Sequence, residues 1–232
     1  MKIPTRNTLK WIIFDIDGTL TDSKSADDKC YQSAFLEVFG IDIKGQDWSL
    51  LKNVSDWGIT EELVQQHFNR LPTELEYQKM QDTFMSYLHL ERRLDSEKFN
   101  QVPGAASFFE LLQSKKNYLI GIATGGWKRP ALFKLEAIGI DPHNIAFAHS
   151  DLAKSRKAIT ESCMNQMQHK NPTIPEEIIY FGDGVWDYET SLEMGNRFIG
   201  IDVRGDKSLL KLGAKTVFQN FQSPEKILNA IN

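Results

Sequence analysis

The stretch Trp11-Ile12-Ile13-Phe14-Asp15-Ile16-Asp17-Gly18-Thr19 is an apolar run that ends on two carboxylates. Its first four residues, β-branched or aromatic, read as the end of a buried parallel strand. In an open α/β sheet the ligand crevice lies beyond the carboxyl ends of the strands. Asp15 and Asp17 therefore fall where a fold of this type does its chemistry. Two like charges this close are costly unless a cation or a shared proton relieves them. Gly18 permits a tight turn and Thr19 adds a hydroxyl. Together these residues predict a metal-assisted site for phosphate.

Outward from this stretch, further candidate strands are Tyr118–Ala123, Asn144–Ala148, Ile178–Phe181 and Arg197–Ile201, with a last short one at Thr216–Phe218. Helical patterns lie between them at Ala105–Gln113, Lys128–Ile138, Ser155–Met167, Tyr188–Met194 and Ser208–Leu212. Strands that recur with helices between them predict a parallel sheet wound on both sides, a Rossmann-like α/β core. Pro103-Gly104 is a turn signal ahead of the first of these helices.

The segment between the first two strands differs. Tyr31, Phe35 and Val38 share a helical face, as do Leu63, Val64, Phe68 and Leu71. Tyr77, Met80, Phe84, Tyr87, Leu88 and Leu94 continue the pattern in steps of three and four. The expected plan is an α/β core from residues 1–20 and 98–232, interrupted by a helical insert over 21–97.

At 232 residues the chain suits one sizeable domain, or one domain carrying a smaller insert. A 41% hydrophobic and 25% charged composition is that of a soluble globular protein. The net charge of −4 supplies no basic footprint for nucleic acid or an anionic membrane. Cys30 and Cys163 make no disulfide framework and are expected as two separate reduced thiols. The beginning lacks the apolar segment of a signal peptide, and no stretch approaches the roughly 20 apolar residues of a membrane span. Cytoplasmic residence is the expectation, as a monomer or homodimer.

Four clusters fall at the ends of expected core strands. The first is Asp15 with Asp17. The second is Thr124 in Gly121-Ile122-Ala123-Thr124-Gly125-Gly126, where a hydroxyl and two permissive glycines can wrap a phosphate with backbone N–H groups. The third is the basic stretch Lys154-Ser155-Arg156-Lys157, opening a helix with Ser155 as its N-cap. The fourth holds Asp183 and Asp187, in Phe181-Gly182-Asp183-Gly184-Val185-Trp186-Asp187. An aspartate after a strand is often only a turn or cap residue. All four clusters, in this order and on one edge of a sheet, are much harder to dismiss.

This ordered set resembles the haloacid dehalogenase-like hydrolase superfamily across the whole α/β core, and the helical insert resembles that family's C1-type cap. The resemblance implies that Asp15 attacks phosphorus to form an aspartyl-phosphate. Asp17 is implied to protonate the leaving oxygen and later to take a proton from water. It implies Mg²⁺ as cofactor, held by Asp15, Asp183 and the Asp17 backbone carbonyl, with Asp187 a ligand or directly behind one. Thr124 binds a phosphoryl oxygen on this reading, and a third-motif cation tethers the aspartyl-phosphate. The Gly-Lys-Pro setting common for that cation is absent, which leaves Lys154 and Arg156 as candidates, with Arg156 preferred for its bidentate reach. Members that cleave carbon–halogen bonds lack an aspartate at the position of Asp17, so its presence favours phosphoryl transfer.

The expected function is a Mg²⁺-dependent phosphatase acting on a small phosphorylated metabolite. The alternative is a phosphomutase of the same superfamily acting on a sugar phosphate. A receiver domain would be about half this length, and dinucleotide binding lacks its glycine fingerprint after the first strand. Substrate choice falls to the insert, where Trp48, Asn53, Ser55, Asp56 and Trp57 occupy a loop-like stretch. With Gly125 and Gly126 they form the expected binding set, although the two tryptophans serve packing equally well. Trp127 and Trp186 are expected to pack, and His149 to be structural.

Overall fold

The computed structural model describes residues 9–232. Residues 1–8, where the expected core segment 1–20 begins, lie outside the described residues. Six parallel strands form one sheet: β1 (Lys10–Phe14), β2 (Tyr118–Ala123), β3 (Ala146–Ala148), β4 (Glu177–Gly182), β5 (Arg197–Ile201) and β6 (Val217–Phe218), in the order β3-β2-β1-β4-β5-β6. The sheet grows from β1 toward β3 on one side, then restarts beyond β1 with β4. That reversal is a topological switch point, beside which a ligand crevice opens.

β1 is buried along its whole length because helices cover both faces. Ile12 and Phe14 point into one apolar cluster, where the Phe14 ring stacks on Phe181 with centroids 4.8 Å apart. Trp11 and Ile13 alternate into the opposite cluster with Ile159 and Met167. Phe14 pairs with Ile122 on one side and Phe181 on the other. The carboxyl ends of β1, β2 and β4 thus lie level, and Asp15, Thr124 and Asp183 follow directly from them.

The core helices are α4 (Ala105–Gln113), α5 (Lys128–Ala137), α6 (Arg156–Lys170), α7 (Val185–Met194), α8 (Ser208–Lys211) and α9 (Pro224–Ile231). Ser155 caps α6, its hydroxyl accepting from the Ala158 N–H. Most bounds shift by a residue or more from the sequence reading, and two shifts and one unread helix are informative. β3 begins at Ala146 because Ile145 N–H closes a turn onto Pro142. α7 begins at Val185, placing Trp186 and Asp187 in its first turn rather than in a preceding loop. α9 went unread, although Pro at its start and Ile227 and Ile231 on its buried face carry a helical signal.

Between β1 and β2 the chain forms α1 (Lys24–Phe39), α2 (Asp56–Phe68) and α3 (Glu74–Leu94). Tyr31, Ala34 and Phe35 pack with Leu63, Val64, Met80, Phe84 and Leu88 in one cluster. Trp127 and Phe133, from the region of α5, join the same cluster, so the helices close over the core through apolar contact. The expected stripe breaks at its ends: Phe68, Leu71 and Leu94 are 42%, 58% and 72% exposed. Phe68 and Leu94 end their helices and Leu71 lies in a connection, where the helical face no longer points inward. Among the described residues, no helix is long and apolar enough to cross a membrane. Cys30 and Cys163 are buried free thiols.

Candidate active site

Asp15 leaves β1 at the level of Phe181, whose carbonyl accepts its N–H at 2.9 Å. The next residues turn sharply: the N–H groups of Thr19, Leu20 and Thr21 all return to the Ile16 carbonyl. Gly18 makes the turn at φ +82°, and a Cβ there would lie 2.2 Å from Asp183 Oδ2. Only glycine fits both the dihedral and the close approach. The motif glycine is thus what lets the β4 aspartate come alongside the β1 turn.

Ligand oxygens of Asp15, Asp183 and Asp187 lie within 4.8 Å of one another. Burial, with Asp187 next, pushes the Asp15 carboxyl well above its usual range. Burial likewise pushes Asp183 up to about 6, and raises Asp187. Asp183 Oδ1 is buried without a hydrogen-bond partner. An orphaned carboxylate oxygen within an all-oxygen donor set fits a hard divalent cation. The Asp17 side chain is not in this trio: Ser23 Oγ donates to its Oδ1 at 2.6 Å, and Lys134 Nζ to its Oδ2 at 2.5 Å.

Two cations meet the acidic trio. Arg156 Nη1 is 3.0 Å from Asp15 Oδ1 and 3.4 Å from Asp187 Oδ1, while its Nε donates to the Val54 carbonyl at 2.7 Å. A Cβ on Gly125 would lie 2.6 Å from the guanidinium carbon, so glycine at this position makes room for the arginine. Lys24, at the start of α1, donates to Asp183 Oδ2 at 2.6 Å. Lys154, the other cation named from sequence, does not reach the site. It pairs with Glu61 at 2.6 Å, and its side chain is 43% exposed. The physical reason is its place ahead of the helix N-cap, where it faces α2, whereas Arg156 in the first turn of α6 faces β1.

Thr124 is buried; its N–H bonds to Ala148 and its hydroxyl accepts from Gly126 N–H at 3.1 Å. The first residue of α2 docks against this turn. Asp56 N–H donates to the Gly125 carbonyl at 2.8 Å, and Asp56 Oδ2 accepts from Trp127 N–H at 2.8 Å. Burial pushes the Asp56 carboxyl up to about 7. A cavity of about 70 Å³ remains between insert and core. Asp15, Asp17, Thr124, Arg156 and Asp183 line its core side, together with Gly125 and Gly126. Asp56 and Trp48 line its insert side, with Trp48 Nε1 held by Asp28 at 3.2 Å.

Trp57 is a correction to the expected binding set. Its ring packs edge-on against Tyr77 and lies under the Lys154 ammonium, away from the cavity. Trp186 is a correction in the other direction. Expected to pack, it lines the cavity beneath Lys24 and Arg156. Trp127 is buried in the apolar cluster, as its packing assignment requires. His149 Nδ1–H donates to Asp151 Oδ2 at 2.9 Å, and His149 does not line the cavity.

Sequence reasoning missed Lys24, Asp27, Asp28 and Lys134. Asp27 in the first turn of α1 reads as a dipole-complementing surface residue. Lys134 left a signal, a charge on the face formed by Ala131 and Leu135, both buried.

A family model of haloacid dehalogenase-like hydrolases matches residues 12–201. A search of curated proteins finds no match. Solved structures of the same fold include a hydrolase from Pseudomonas syringae, 22% identical with a TM-score of 0.71, covering 97% of each chain. A β-phosphoglucomutase from Clostridium difficile is 21% identical with a TM-score of 0.70, over 95% of this chain and 96% of its own. A haloacid dehalogenase-like protein from Streptococcus pneumoniae is 18% identical with a TM-score of 0.60, over 97% and 99%.

Proposed function

This chain belongs to the haloacid dehalogenase-like hydrolases, and from that premise we propose that it is a Mg²⁺-dependent phosphohydrolase of small phosphorylated metabolites, with the α1–α3 insert as its cap. The observation that carries this reading is that Asp15 and Asp17 line the same cavity as Thr124 and Arg156. A nucleophile, a second carboxylate for protons, a hydroxyl donor and a cation converge there. The cavity is far smaller than the roughly 300–1,000 Å³ of drug-sized ligand sites, which favours a compact ester.

Asp15 attacks phosphorus in line with the ester oxygen, and an aspartyl-phosphate forms as the P–O bond breaks. Asp17 gives its proton to the leaving oxygen. It then accepts one from water as that water attacks the aspartyl-phosphate, returning phosphate and free Asp15. The Thr124 hydroxyl, which accepts from Gly126 N–H and keeps its own proton to donate, holds a phosphoryl oxygen. Arg156, already beside Asp15, keeps the acyl phosphate in place and offsets its charge. Mg²⁺, when bound by Asp15, Asp183 and the Asp17 carbonyl with Asp187 beside them, supplies the positive charge that lets a carboxylate approach a phosphate dianion.

The test is release of phosphate from p-nitrophenyl phosphate. Wild-type protein with Mg²⁺ is expected to turn it over, and EDTA or Asp15→Asn to abolish turnover. Full activity in Asp15→Asn would overturn the nucleophile assignment. A screen of phosphorylated metabolites then identifies the substrate. Isomer formed in excess of free phosphate on hexose phosphates would favour the phosphomutase alternative.

A further inference from the structure

Asp17 needs a fixed orientation, because proton transfer to the leaving oxygen demands hydrogen-bond reach. The structure supplies an unusual means of fixing it. Lys134, on α5, has a side chain only 1% exposed, between Phe133, which packs against the insert, and Leu135, which packs into the core. Its ammonium donates to Asp17 Oδ2 at 2.5 Å and to Asp27 Oδ1 at 2.7 Å. Asp56 is the third carboxylate acting on it. Burying an ammonium costs several kcal/mol unless it is paired, and an apolar residue would fill this position as well. The lysine is therefore not explained by packing.

The arrangement is a clamp drawn from three places in the chain. Ser23, just ahead of α1, holds Asp17 Oδ1, and its own hydroxyl is 2.6 Å from Thr21 Oγ1. Lys134 holds Oδ2 from α5. Asp27, from α1, holds Lys134. Each carboxylate oxygen has two acceptor positions, so with one donor on each, Asp17 retains capacity for a further contact where it lines the cavity. A flexible lysine stem would fix nothing alone, but burial and the Asp27 anchor leave it one position.

We propose that Lys134, anchored by Asp27, is a positioning residue that orients the Asp17 carboxylate for proton transfer at the leaving oxygen. The proposal rests on the reading of Asp15 as nucleophile and Asp17 as acid and base. A displacement of about 1 Å at such a group is enough to cost on the order of 10² in rate. In the step that forms the aspartyl-phosphate, which kcat/KM reads, the loss should fall on substrates whose leaving group needs a proton. It should spare those whose leaving group departs as a stable anion; the later attack of water is common to all esters.

The test compares turnover of phenyl phosphate with that of p-nitrophenyl phosphate, whose leaving group is a much weaker base. Lys134→Met keeps the length of the stem without the charge. The double variant Lys134→Met/Asp27→Asn also removes a carboxylate left without its counter-charge, and guards against a single variant that fails to fold. Asp17→Asn is the benchmark. Lys134→Met or the double variant is expected to lose about tenfold more kcat/KM on phenyl than on p-nitrophenyl phosphate, a part of the ~10²–10⁴ that a general acid contributes. An equal loss on both esters, or no loss, beside a selective loss in Asp17→Asn overturns the positioning role and leaves the proposed function standing. A benchmark that is itself unselective removes the acid role of Asp17, and the positioning proposal falls with it.

Discussion

Replacing Arg156 with Met tests whether one guanidinium holds the acidic centre together. Met keeps most of the stem and removes the charge. The guanidinium lies 3.0 Å from Asp15 and 3.4 Å from Asp187. At an effective dielectric of 20, each pairing is worth about 5 kcal/mol of gross attraction. Desolvation of the buried groups offsets much of this, but it is not recovered when one partner is removed. The carboxylates stay behind, uncompensated, and such losses run to about 3–5 kcal/mol. The bond to the Val54 carbonyl is also lost, which loosens the docking of the insert loop. Metal-free Arg156→Met is therefore expected to unfold in urea with about 3–5 kcal/mol less stability than wild type at pH 7.5.

The same deficit should depend on pH. Asp15 and Asp187 have folded-state pKa values raised above their unfolded ones, first by burial. Such groups hold more protons folded than unfolded, so stability falls as pH rises from the unfolded value toward the folded one. Removing Arg156 raises both further and steepens the fall. The gap between variant and wild type should narrow toward pH 5, where protonation relieves the repulsion. Equal stability at pH 7.5, or a gap that widens toward pH 5, would refute the reasoning.

Wild-type protein without metal should itself lose stability between about pH 4 and pH 7, since Asp183 is pushed up to about 6 and Asp56 to about 7. Millimolar Mg²⁺ should flatten that slope, adding about 2.7 kcal/mol at a hundred times its Kd; thermal melts across pH with and without Mg²⁺ check both statements. Gly18→Ala should cost about 1 kcal/mol or more from its positive φ and nearly abolish turnover by pushing Asp183 aside, as read by urea unfolding and phosphate release. Lys154→Ala, which removes only a surface pairing with Glu61, should change stability by less than about 1 kcal/mol and leave turnover near wild type. A Lys154→Ala protein as inactive as Arg156→Met would reverse the assignment of the third-motif cation.

The strand-to-helix alternation was legible because each element carries its own local pattern. An unbroken apolar run such as Trp11–Phe14 has few alternatives to a buried strand, and an aspartate that follows it has few places to go but the sheet edge. Position along the sequence therefore named Asp15, Asp17, Thr124 and Asp183 without a structure. Ambiguity grew where a residue's role depends on direction rather than order. Lys154 and Arg156 are two residues apart, and only the cap geometry of α6 turns one toward β1 and the other toward Glu61. Trp57 and Trp186 exchanged expectations for the same reason.

Sequence by itself determined the sheet, the helical insert and the carboxylates at the strand ends, because period and spacing are local properties of the chain. Tertiary structure alone decided what stands beside those carboxylates. Lys24 and Asp27 come from an insert helix, and Lys134 from a core helix more than a hundred residues beyond Asp17. Their contacts exist only once the insert has closed over the core and excluded water. Burial is then what makes each pairing obligatory, and no local pattern encodes which charges it will bring together.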